Sequence, residues 1–143
     1  MTLIEVVISI VVIAIAVGAI LGVLAENVQR SADAMVLSQG VTIANAYVEE
    51  ISLKSFSDPD GSDGEVARAD FDDVDDYDGI VDSGAVDQFG TPIPGLDGYT
   101  VAVEVDPSSA LPGVAAGDAF RIDVRVSFPP IIDYTLTAYR TRL

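Results

Sequence analysis

The sequence predicts an α+β chain in which a long N-terminal α-helix packs on a small antiparallel β-sheet. Three observations carry this expectation: an apolar run from Met1 to Leu24 broken only by Glu5, an amphipathic continuation to about Leu53, and three alternating runs after Gly98. At 143 residues the chain can hold one modest core. It has no cysteine, so neither a disulfide framework nor a thiolate metal site is available.

The apolar run comes first. Val6 to Ala25 contains no charged residue, and about 20 apolar residues rising about 1.5 Å each cross a hydrocarbon core of about 30 Å. The segment can therefore span a membrane. Glu5 is the anomaly, because a carboxylate within a spanning segment costs roughly 2.5 kcal/mol or more near the centre and usually marks a function with a partner. A secretory signal peptide would need a basic start, and MTLIE has no Lys or Arg. A plain membrane anchor leaves Glu5 unexplained. A helix buried inside one globular domain would need more surrounding mass than this chain supplies.

Beyond Ala25 the pattern becomes one-sided. Val28, Ala32, Met35, Val36, Gly40, Ile43, Tyr47 and Ile51 recur at steps of three or four, while Glu26, Arg30, Asp33, Ser38, Asn45 and Glu49 fall largely elsewhere. No proline precedes Pro59, which allows one helix of about 53 residues. Gly18 and Gly22 have the GxxxG spacing of close helix contacts in membranes, and each lowers helix stability by about 1 kcal/mol relative to Ala. The expected organisation is an apolar half over residues 1–25 and a head over 26–143. The head comprises an amphipathic helix (26–54), acidic loops (55–97) and a sheet (98–143).

The turn series SFSDPDGSDGE ends the helix near Lys54. Phe71, Val74 and Tyr77 then recur every third residue, so a short helical turn would place them on the head and turn Asp70, Asp72, Asp73, Asp75, Asp76 and Asp78 outward. Asp58, Asp60, Asp63, Asp73, Asp75 and Asp78 are candidate Ca²⁺ ligands, since this cation takes closely spaced oxygen donors. Their spacing departs from the helix-loop-helix calcium pattern: a loop starting at Asp58 has Asp63 where Gly is required and Ala69 at position 12. A solvated acidic surface is the competing reading.

Tyr99 to Val105, Phe120 to Phe128 and Ile132 to Ala138 alternate apolar and polar residues, which reads as three antiparallel strands. A short fourth is expected near Gly79 to Asp82. Glu104, Arg121, Asp123 and Arg125 then fall on the outward face as cross-strand pairs, each worth some tenths of a kcal/mol.

The net charge of −16 divides as −4 over residues 1–53, −11 over 54–98 and −1 over 99–143. Such a surface opposes nucleic acid and anionic membrane surfaces, and the C-terminal arginines are interleaved with acids. Catalysis is not expected: there is no His, no Cys, no nucleophile-elbow serine and no phosphate loop. The first aromatic residue is Tyr47, so stacking conduction along the apolar half is disfavoured, and no haem-attachment cysteine exists.

Met1-Thr2-Leu3-Ile4-Glu5 followed by an uninterrupted apolar helix resembles the mature amino terminus of bacterial type IV pilins and pseudopilins. Met1 stands where the family more often has Phe. The resemblance implies the pilin fold, and a prepilin peptidase that removes a basic leader and methylates the terminal amine. It also implies assembly roles for Met1, Thr2 and Glu5, with Glu5 meeting the α-amino group of a neighbouring Met1. The implied partners are identical subunits in a homopolymer, an assembly platform, and the cytoplasmic membrane before export into an extracellular filament serving adhesion or motility. The family commonly has Pro near position 22, with helix regularity lost just before it in filaments, which implies an unwound stretch within Ala14 to Val23 in the assembled form. FDDVDDYDG resembles a phrase of mannose-sensitive haemagglutinin pilins, the D-type minor subunits in particular. Two alternatives stay open: a minor pilin or pseudopilin of a type II secretion or DNA-uptake machine, and a membrane-anchored acidic binding domain that never polymerises.

Overall fold

The computed structural model describes residues 2–59, 61 and 65–142. Two compact units divide the chain, Met1–Met35 and Val36–Leu143. Helix α1 spans Leu3–Ser52, two residues short of the expected end. The backbone N–H groups of Glu5 and Val6 bond to Thr2 O, which opens the helix. It closes where the N–H of Leu53 bonds back to Glu49 O and that of Lys54 to Ile51 O.

Within the first unit, fifteen large apolar side chains between Leu3 and Leu24 are exposed among the described residues, from Val6 at 43 % to Leu3 at 85 %. No face of this stretch is covered, and it is long and apolar enough to cross a membrane. Further along, Arg30 and Glu26 form an exposed i,i+4 ion pair at 2.5 Å, which supports the helix by only some tenths of a kcal/mol.

In the second unit the rest of α1 packs on a four-stranded sheet. The strands are β1 (Val81–Ser83), β2 (Thr100–Pro107), β3 (Ala119–Phe128) and β4 (Ile132–Thr141). They form an antiparallel meander in the order β1-β2-β3-β4. The alternation read from the sequence is realised: Val101, Val103 and Val105 of β2 and Ile122, Val124 and Val126 of β3 are buried against Ile43, Ala44, Tyr47 and Ile51 of α1. The expected short strand exists as β1, displaced by about two residues. This is the α+β pilin fold.

Two glycines permit close approaches, Gly40 between helix and sheet and Gly98 between neighbouring strands. A Cβ on Gly40 would lie 2.6 Å from Ile132 Cδ1, and one on Gly98 would lie 2.3 Å from the Phe128 ring. The Tyr99 hydroxyl then donates to Val36 O at 3.1 Å and lies 2.9 Å from Gln39 Oε1, joining the start of β2 to the helix.

The segment between α1 and β2 is bound in by its own side chains. Phe71, Val74 and Tyr77 are all buried as the spacing predicts, with short 3₁₀ turns at Arg68–Asp70 and Asp75–Tyr77. One part of that expectation is corrected. Asp73 does not face outward: it is 2 % exposed, because Ser55 and Asp73 form a bridge that draws the backbone under the helix end. The outward sheet face is also rearranged. Arg121 lies 3.2 Å from Asp106 and 3.0 Å from Asp123, Arg125 pairs with Asp133, and Glu104 stands directly opposite Asp123.

Candidate functional site

The sequence directs attention to residues 1–5, to Gly18 and Gly22, and to the acidic loops. Met1, Asp60 and Asp63 lie outside the described residues. Glu5 Oε2 accepts the backbone N–H of Thr2 at 3.3 Å. Thr2-Leu3-Ile4-Glu5 is thus a capping-box sequence, with the Glu three residues after the Thr reaching back to satisfy one of the orphan donors of the first turn. The same carboxylate sits favourably at the positive end of the helix dipole. The T-x-x-E spacing is visible in the sequence and gives Glu5 a local role beside any intermolecular one. Ser9 Oγ donates to Glu5 O at 2.8 Å in the next turn.

Gly18 and Gly22 lie within the unbroken helix of the free chain, and a Cβ at either would meet nothing within 4 Å. Neither glycine is required by contacts with the described residues. The unwinding expected for Ala14 to Val23 concerns the assembled form.

The acidic candidates separate into different environments. Asp58, Asp73 and Asp75 line a cleft of about 270 Å³ together with Phe56, Phe120 and Arg142. Arg142 stacks over the Phe56 ring at 5.0 Å and donates to Ser57 Oγ at 3.0 Å, and Phe56 lies 4.9 Å from Phe120. Asp78 is elsewhere, with Oδ1 accepting the N–H of Val105 on β2 at 2.9 Å. Asp76 Oδ2 accepts the N–H groups of Asp72 and Asp73, while the N–H of Asp76 donates to Asp73 Oδ1 at 3.2 Å. Among the described residues no group of three or more acidic side chains is arranged to hold a metal ion.

Burial pushes the Asp73 carboxyl up to about 6; the N–H of Asp76 opposes this, and the charges of Asp75 and Asp76 add to it. A carboxyl whose folded pKa is raised stabilises the fold below its unfolded value and loses that contribution as pH climbs through the folded value. With an ordinary value of 3.8, the head should lose stability from this group between about pH 4 and pH 6. Asp73→Asn keeps an acceptor for Asp76 N–H and removes the ionisation. Thermal melting of the full chain in detergent should show the variant melting above the parent at pH 7.5 and matching it near pH 4.

The most organised polar constellation was not foreseen from the sequence. Arg68, 8 % exposed, forks onto Glu50 with Nε to Oε1 and one terminal nitrogen to Oε2, both at 3.1 Å. Its other terminal nitrogen meets Asp82 Oδ2 at 2.8 Å. The guanidinium lies 4.5 Å from the centre of the Tyr47 ring and 5.4 Å from that of Tyr77. Tyr47 donates to Asp82 at 2.7 Å and Tyr77 to Glu50 at 2.8 Å, and Tyr47 Oη accepts the N–H of Val86 at 3.1 Å.

Burial raises both phenols well above their ordinary value, so they act as neutral donors. Burial works against the charge of Arg68, but the fork to Glu50 and the charges around it raise its pKa overall. In sequence Arg68 is one of two cations among thirteen acids over residues 54–98, and that scarcity was the available signal. The cluster ties α1, the acidic loop and β1 together. Removing the cation strands two carboxylates, at about 3 to 5 kcal/mol for a buried pair. Arg68→Ala should lower denaturant stability of the head by that amount, and Arg68→Lys should restore only part of it, because an ammonium cannot fork.

No family model matches the chain, and neither a curated protein nor a solved structure is found to be similar to it. Among the described residues, the architecture of a long apolar helix and a small sheet head is that of a generic pilin-like fold.

Proposed function

We propose that the chain is a structural subunit of an extracellular type IV pilus-like filament, polymerising through its hydrophobic N-terminal helix and serving adhesion or motility. The observation that carries this reading is the apolar surface of residues 3–24, exposed on every face and headed by Glu5. Monomeric soluble proteins rarely expose a contiguous apolar patch above a few hundred Å². Lipid and a bundle of like helices are the two environments that cover such a surface, and a subunit that waits in the cytoplasmic membrane and then enters a bundle uses both. Heterologous contacts between identical subunits generate an open helix, so one small chain suffices for a long fibre.

In this reading a prepilin peptidase frees and methylates the terminal amine, an assembly platform extracts the subunit, and Glu5 meets the amine of a neighbouring Met1. Stranding one member of a buried ion pair costs about 3 to 5 kcal/mol, which would fix axial register and reward docking. A second reading is a minor pilin or pseudopilin of a secretion or DNA-uptake machine, whose residues 1–25 would look much the same; the resemblance of FDDVDDYDG to haemagglutinin-type minor subunits favours a minor role only.

Electron microscopy of sheared surface fibres, with composition by mass spectrometry, tests the proposal. This chain as the main component supports the major subunit, and trace abundance supports the minor one. Isolation only as a membrane-extracted monomer would leave an anchored acidic domain instead. Glu5→Ala should insert in the membrane at parental levels yet give at least tenfold fewer fibres, and parental fibre yield would defeat the role given to Glu5.

A further inference from the structure

The two edges of the sheet are unlike. β1 is three residues long, and its Asp82 is held by Tyr47 and Arg68. β4 is ten residues long, pairs with β3 in unbroken register from Ile132 to Thr141, and contains no Pro, Gly or Lys. Among the described residues no backbone bond outside the β3 ladder reaches residues 132–141. Of the usual devices that blunt an edge, β1 has shortness, whereas β4 has neither shortness nor a bulge, proline or lysine.

Such an edge accepts a strand, and its composition indicates which one. Set antiparallel to itself about a two-fold axis at Leu136, β4 places Leu136 opposite Leu136 of the second copy, and each Thr135 opposite Thr137. The large Tyr134 faces the small Ala138, and Asp133 faces Tyr139. No like charges oppose each other, and opposed threonines are favourable cross-strand pairs. The inner-face residues Tyr134, Leu136 and Ala138 are only half-buried, so a second strand would cover apolar surface left partly open. Charge also selects this edge. A chain of net charge −16 repels its copies, least where residues 99–143 contribute only −1 and β4 itself holds one acid and one base.

We propose that β4 is a self-complementary docking edge through which the heads of two copies form one continuous eight-stranded sheet. The contact is closed, because β1 offers no matching edge, so it would join subunits in pairs and would not propagate. It does not depend on the filament reading.

The test uses the full chain in detergent micelles. The protein has no cysteine, so a Leu136→Cys variant carries the only thiol. At the two-fold axis the paired Cα atoms would be about 4.5 or 5.5 Å apart in either hydrogen-bonding phase, and both distances suit a disulfide. Mild oxidation should link Leu136→Cys into dimers at least tenfold faster than Phe89→Cys on an exposed loop. A second variant, Thr135→Glu, gains Arg125 as its cross-strand neighbour and adds a carboxylate beside the partner strand. It should weaken dimerisation in sedimentation by at least tenfold at an unchanged melting temperature. Equal linking at both thiol positions, a monomer at all concentrations, or a dimer indifferent to Thr135→Glu and hence formed through α1 would each overturn the proposal.

Discussion

The acidic half of the head is held by a single guanidinium. Residues 54–98 carry a net charge of −11, and mutual repulsion on that scale would favour an expanded loop over a packed one. Arg68 reverses the balance locally by meeting Glu50 and Asp82 at once and lying against two tyrosine rings. Around this point the other fastenings fall into place. Lys54, the one lysine, donates to Phe71 O at the helix end, and the N–H of Val105 on β2 closes on Asp78. Phe71, Val74 and Tyr77 can reach the core because the chain between them is bound on both sides. The two cations thus stand at two junctions, Lys54 at the helix end and Arg68 between α1 and β1.

The helix divides by what covers it, not by its backbone. Leu3–Ser52 is helical throughout, but apolar side chains encircle the early turns and form one stripe in the later ones. The later stripe ends in Ile43, Tyr47 and Ile51 on the sheet, so its hydrophobic requirement is met inside the chain. Among the described residues the early turns have no such partner, and their apolar surface is the feature on which the proposed function rests.

The elements with a clear period were legible. Alternation placed all three long strands, and the three-residue steps of Phe71, Val74 and Tyr77 identified the inward side chains of the loop. What escaped was long-range polar pairing. Arg68 meets Glu50 across 18 positions and Asp82 across 14, and no local pattern links them. Asp73 was misjudged for a related reason: its orientation is set by the bridge to Ser55, a contact between segments, and not by its neighbours in sequence. The capping box was different, since Thr2 and Glu5 stood at the required spacing and the carboxylate drew attention for another reason.

That capping bond alters the energetics of docking. Because Glu5 already accepts the N–H of Thr2 in the free chain, a carboxylate entering a bundle is not a bare acceptor gaining its first donor. The docking proposed above would then be an exchange of donors, in which the gain from a buried ion pair is reduced only by the modest net worth of one exposed local hydrogen bond. An exchange of this kind would leave the carboxylate with a donor both before and after it. The first turn of the helix is therefore already closed on itself in the free chain, and any partner that recruits Glu5 must first open that turn.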